Sequence, residues 1–186
     1  MNPSGAELLT NPHPRGHMVY PYTDETQVAE AVCLFTSAGF RKNEAVLLIM
    51  TAGHSKAIRQ RLEAEGFDLP ALESTGQLVC EDAERLLSAF LFDGIIDEHR
   101  FKTKVGGMIE KAKAGGKDQN RPVRLFGEMV DLLWRTDARS TQRLEELWND
   151  VIEAHSVPLL CAYSLAGTQP NAFPQALLSC HGHAVA

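Results

Sequence analysis

One carboxylate, Glu128, stands directly behind Gly127 at the end of the apolar run 123–126, and Met129 follows it. In a parallel sheet, ligands sit where strand carboxyl ends and helix N-termini converge, so an acid at that rim can anchor a polar group. Four other apolar runs end in residues of similar use: Tyr22, Thr23 and Asp24; Thr51 and His54; Glu81 and Asp82; Tyr163 and Ser164. If all strands are parallel these meet in one crevice with two phenols, one imidazole and several acids, a mixture suited to a small organic ligand. Glu128, Tyr22, His54, Tyr163, Asp24 and Met129 are therefore the candidate ligand-binding residues. Each has a structural alternative: Glu128, Asp24 and Asp82 as helix caps, His54 as a polar turn residue, Met129 as a residue facing the sheet. No catalytic residue is assigned, since no Ser-His-Asp or Cys-His arrangement shows in the order of the chain and such groups are recognised by geometry.

Two further groups invite chemistry. His17 precedes the first strand and so falls at the opposite rim, where a structural hydrogen bond is its expected role. The tail reads Cys180-His181-Gly182-His183. A tetrahedral metal site draws on two separated ligand pairs and only one cluster is visible, so no metal is expected and the tail reads as a disordered terminus.

The elements that must position these residues alternate. Residues 1–16, with three prolines and two glycines, read as a flexible arm. HMVYPY (17–22) is a first strand, ending at Pro21, which lacks a ladder donor. Thr23 or Asp24 caps a helix that Gly39 stops. AVLLIM (45–50) is an unbroken apolar run of the kind buried on both faces. Thr51 to His54 form its turn, and a helix carrying Ile58 and Leu62 follows. Residues 77–80 form a third strand, followed by a short helix with Leu86, Leu87 and Phe90. A longer helix from near Asp97 carries Phe101, Val105 and Ile109, with Gly106 and Gly107 weakening it. The strand 123–126 runs at once into an apolar helical turn through Trp134. Asp137 or Ser140 caps the amphipathic helix with Leu144, Leu147, Trp148, Val151 and Ile152, which Pro158 ends. LLCAY (159–163) is the last buried strand, and a short helix is expected around Phe173, Ala176 and Leu177.

Strands alternating with helices predict an α/β fold: a mostly parallel sheet of about five strands with right-handed crossovers and helices on both faces. The 186 residues suffice for one domain. Net charge is −6 and the basic residues are scattered, which argues against direct nucleic-acid binding. No apolar run approaches a membrane span, the start lacks a basic-then-apolar leader, and the four cysteines have no C-x-x-C spacing; a cytoplasmic protein with reduced thiols is expected.

Taken together, HMVYPYTDE, TAGH, the GQL-x-x-x-DA segment (76–83), RLFGEMVDLLW, LEELWND and LLCAYSL resemble the MEDS family, sensory domains named for methanogen and methylotroph proteins and the DcmR regulator. The likeness spans residues 17–165, leaving 1–16 as an arm and 166–186 as a partly helical tail. It implies a RecA-like or KaiC-like core that has lost its ATPase apparatus and senses small organic ligands, hydrocarbon-derived ones among them, in signal transduction and transcription regulation. The histidine at the position of His17 recurs in the family. Such domains usually occur beside a DNA-binding, kinase or anti-sigma domain; this sequence departs from that pattern, and a stand-alone sensor acting on another protein is expected. Chemistry agrees about ATP. A phosphate loop needs glycine amides and a lysine, whereas residues 22–26 read Tyr-Thr-Asp-Glu-Thr, with two acids that repel a triphosphate.

The expected function is thus non-catalytic sensing of a small organic ligand, with no cofactor and no membrane. Two competitors stand: a nucleotide binder or enzyme using the same crevice, and a protein-interaction module, for instance a homodimer joined through the 144–152 helix face.

Overall fold

The computed structural model describes residues 4–115, 120–167 and 179–185. In chain order the elements are α1 (Gly5–Thr10), β1 (His17–Tyr22), α2 (Glu25–Arg41), β2 (Ala45–Met50), α3 (Ala52–Ala64), α4 (Leu69–Ser74), β3 (Leu78–Asp82) and α5 (Ala83–Ser88). There follow β4 (Leu91–Phe92), β5 (Ile95–Ile96), α6 (Glu98–Ala114), β6 (Val123–Gly127), α7 (Ala138–His155), β7 (Leu159–Ser164) and β8 (His183–Ala184). Five long strands pair in parallel in the order β3-β2-β6-β7-β1, and the two-residue β8 adds to the β1 edge. β4 and β5 form a separate hairpin. The expected α/β sandwich is present.

Side chains alternate across the sheet because the strand period is two. On β2, Ala45, Leu47 and Ile49 face a core shared with α5, α6 and α7, while Val46, Leu48 and Met50 face a core shared with α1 to α4. Buried on both faces, β2 could be nothing but apolar. The Leu144, Leu147, Trp148, Val151 and Ile152 face of α7 lies wholly inside the first of these cores. That removes the proposed dimer interface, since the apolar stripe is already covered by the chain's own sheet.

Several local expectations are revised. Pro21 does not end β1. The Gly16 and Tyr22 carbonyls accept from Leu159 and Leu165 on the β7 side, while His17 and Val19 accept from Gly182 and Val185 on the outer side. Pro21, in phase with the second set, turns its missing donor to the outer edge. Gly39 does not stop α2, which continues to Arg41. A Cβ there would lie 2.8 Å from Arg124 Nε, so the glycine makes room for a buried guanidinium rather than for a turn. α6 likewise runs through Gly106, whose bare face receives the His155 ring of α7. Residues 129–136 form a run of turns mixing i+3 and i+4 bonds, not a helix continuous with the strand. α3 begins at Ala52, so His54 belongs to its first turn. Within the expected arm, α1 is capped by Ser4 and buries Leu9. The helix expected around Phe173 lies outside the described residues.

Candidate functional site

The connections leaving β2 and β6 depart to opposite faces: α3 packs in the core with α2, and α7 in the other core. These strands are neighbours. Their carboxyl ends therefore form a topological switch point, the place where an open parallel sheet leaves a crevice. Thr51 and His54 come from one side of it and Glu128 from the other.

Glu128 is buried, and its Oε2 accepts the Thr51 backbone N–H at 2.7 Å. Thr51 is the N-cap of α3 and makes no capping bond with its own side chain. A carboxylate from a neighbouring strand thus supplies the negative charge that a helix N-terminus favours. Oε1 of Glu128 pairs with His54 Nδ1, and Nε2 of the same ring pairs with Glu25 Oε2 at the start of α2. A carboxylate beside each ring nitrogen favours the protonated, charged imidazole. The Tyr22 ring stands edge-on to His54, centroids 5.9 Å apart.

The charges explain one another. The Glu128 carboxylate bonded to His54 pushes the imidazole up to about 9 from 6.5; burial opposes this and Glu25 adds to it. Burial, and after it the charges of Asp131, Glu25 and Glu128, push the Tyr22 phenol far above its usual range. Asp131 is raised by burial although Ser164 N–H and Trp134 Nε1–H each donate to its Oδ1 at 2.8 Å. The surroundings are acid-rich, and one imidazolium lies among three carboxylates. An anion would be repelled here; a neutral hydrogen-bond donor or a cation would not.

The raised His54 value has a sign. The fold favours the protonated ring, so its contribution is complete below pH 6.5 and is lost as pH rises through about 9. The His54 side chain is 12% exposed while its partner Glu25 is open to solvent, so screening leaves a contribution on the order of 1 kcal/mol. Urea unfolding across that window should show the native chain losing stability with rising pH relative to His54→Gln. Parallel curves for the two proteins would remove His54 from the charged pair.

Comparison with family models matches residues 16–181 to MEDS, the methanogen/methylotroph, DcmR sensory domain. The chain belongs to the MEDS family. Comparison with curated proteins gave no match.

In this MEDS domain three of the expected site residues, Glu128, His54 and Tyr22, lie together. Asp24 stands beside them, but its Oδ1 accepts Thr26 N–H as the cap of α2. Met129 is sealed in the α5–α7 core. Tyr163 points to that same face, opposite to Tyr22, and its hydroxyl donates to the buried carboxylate of Glu145 on α7. Adjacent rim positions on a strand face opposite sides, so arrival at the same end of the sheet does not make neighbours. Asp82 caps α5, and Glu81 pairs with Arg85. Glu25 was read only as one of two acids that repel a triphosphate and not as a site residue, because an acid just after a cap is what any helix start carries. Asp131, inside the apolar stretch after Glu128, gave no signal either.

Hollows of about 510 and 400 Å³ lie elsewhere, the first between the β4–β5 hairpin and α7, the second between α5 and α6, and neither reaches Glu128. Among the described residues no helix is long and apolar enough to cross a membrane, and Cys33, Cys80, Cys161 and Cys180 form no disulfide with one another.

Proposed function

We propose that this MEDS domain is a non-catalytic sensor that takes a small organic molecule, neutral or cationic, at the β2–β6 switch point and thereby regulates a partner protein. One observation carries the reading: Glu128 holds the N–H of Thr51, the N-cap of α3, at the point where folds of this architecture hold their ligands. The chain's own carboxylate fills the position that an anionic group would need, which disfavours nucleotides. A ligand with hydroxyl or amine donors replaces His54 as the partner of Glu128, and Glu25, whose side chain is 69% exposed, is the outer wall that moves. Binding selects a state in which the starts of α2 and α3 separate. That displacement is what a regulatory partner reads.

A thermal-melting screen of alcohols, amines and other simple metabolites tests this. At a ligand concentration of about 100 times Kd, binding adds roughly 2.7 kcal/mol to stability. Some member should raise Tm in the native chain and fail to do so in Glu128→Gln. An unresponsive native chain across the screen, or a response untouched by Glu128→Gln, removes the reading. Calorimetry with ATP and magnesium should give no heat; micromolar binding would favour the nucleotide reading instead.

A further inference from the structure

A second convergence of ligating side chains lies away from the switch point, beneath α7. His17 from the start of β1, Cys161 from the middle of β7, Glu145 from α7 and His181 just before β8 meet there. Their nearest ligating atoms all lie within 4.8 Å of one another. His17 Nε2 is 3.1 Å from Glu145 Oε2 and 3.4 Å from Cys161 Sγ, and His181 Nε2 is 3.3 Å from Glu145 Oε1. Bonds of about 2.0–2.3 Å in a tetrahedral shell place ligand atoms roughly 3.3–3.8 Å apart, so small side-chain shifts close the cluster around one ion.

The outer contacts suit that role. His17 Nδ1 lies 2.8 Å from Asn149 Oδ1, and the amide nitrogen of Asn149 donates to the Cys180 carbonyl. An amide oxygen only accepts, so Nδ1 carries the hydrogen and Nε2 faces the cluster. Tyr163 donates to Glu145 and fixes its carboxylate. Such orienting bonds from neighbouring groups are what hold metal ligands in place.

We infer that these four side chains form a closed zinc site that clamps the C-terminal segment onto the domain. Two imidazoles and a thiolate select zinc over magnesium or calcium. Charge closes as well: Zn²⁺ with one thiolate, one carboxylate and two neutral imidazoles is a neutral group, which an apolar interior accommodates. On binding, the Cys161 thiol proton and any proton on the two imidazoles pass to solvent, as coordination requires. With four protein ligands and no open position the ion is structural. It ties β1, β7 and α7 to the segment 179–185, of which β8 and the buried Val185 already lie on the sheet.

The untagged full chain, stripped with chelator, is titrated with Co²⁺ and then Zn²⁺. One equivalent of cobalt should give a thiolate charge-transfer band in the near ultraviolet and the intense visible bands of tetrahedral coordination, both erased by zinc. Cys161→Ser should abolish the charge-transfer band, Cys80→Ser should keep it, and His181→Gln should weaken affinity by about tenfold or more. Zinc should also slow proteolysis of the C-terminal segment in the native chain but not in His181→Gln. If Cys161→Ser does not fold, the His181→Gln comparison decides alone. No cobalt binding by the native chain, a band that survives Cys161→Ser, or affinity unchanged in His181→Gln overturns the site.

Discussion

Arg124→Met is expected to lower the unfolding free energy by about 3 kcal/mol, although methionine is apolar and of similar length. Arg124, on β6, is 1% exposed. It pairs with Glu44 through Nε and Nη2, donates through Nη1 to the Phe35 carbonyl at 2.8 Å and the Leu9 carbonyl at 3.4 Å, and lies over the Phe35 ring. Burial lowers the guanidinium's pKa, opposed by Glu44, yet the group stays charged in ordinary buffers. Removing one partner of a buried ion pair leaves the other without compensation, which costs more than the pair contributes. α1 should feel the loss first, because Arg124 and Lys42 hold its last carbonyls. Arg124→Lys should fare little better, since an ammonium cannot reach Glu44 and two carbonyls in a planar fork. Urea unfolding with limited proteolysis near α1 checks both; a loss below about 1 kcal/mol would show the guanidinium to be dispensable.

The second large effect is expected at Glu145→Gln, measured in the chelator-treated chain so that no metal enters: again about 3 kcal/mol. Glu145 has no exposed surface. Burial pushes its carboxyl up, but the imidazoles of His17 and His181 outweigh that and hold it at about 2. Glutamine still accepts from Tyr163, so the loss isolates the charge. In a His17→Gln background the same substitution should cost at least about 1 kcal/mol less, because the two groups act as one unit. Additive costs would mean that the contact between them carries no energy.

These two residues illustrate what could be read in advance. Arg124 stood in plain view between apolar neighbours, and one more arginine on a strand says nothing of a helix that leaves room for it at Gly39. Glu145 is a single acid on a helix with many acids, and only its angular position puts it on the inner face. Glu128, by contrast, was legible, since Gly127 and a preceding apolar strand place an acid at a rim whatever the rest of the chain does. Its partner His54 was legible as a rim residue but not as an ion bridging two carboxylates, which requires the start of α2 to lie beside that of α3. Tyr163 shared the rim with Tyr22 in the sequence and lost it in the fold, because the two phenols face opposite layers.

The elements themselves were largely determined by the chain. The apolar runs at β1, β2, β6 and β7 and the 3.6-residue pattern of α7 identify strands and a helix through local periodicity, and their alternation implies a parallel sheet. Strand order was left to the tertiary structure: β2 could not be known to neighbour β6 until both crossovers were placed, and that adjacency creates the switch point. The same holds for His17, Cys161 and His181, separated by as many as 144 and 164 positions from His17. Local propensity acts over a few residues, whereas a binding group is defined by which distant side chains share a layer, and only the packed sheet decides that.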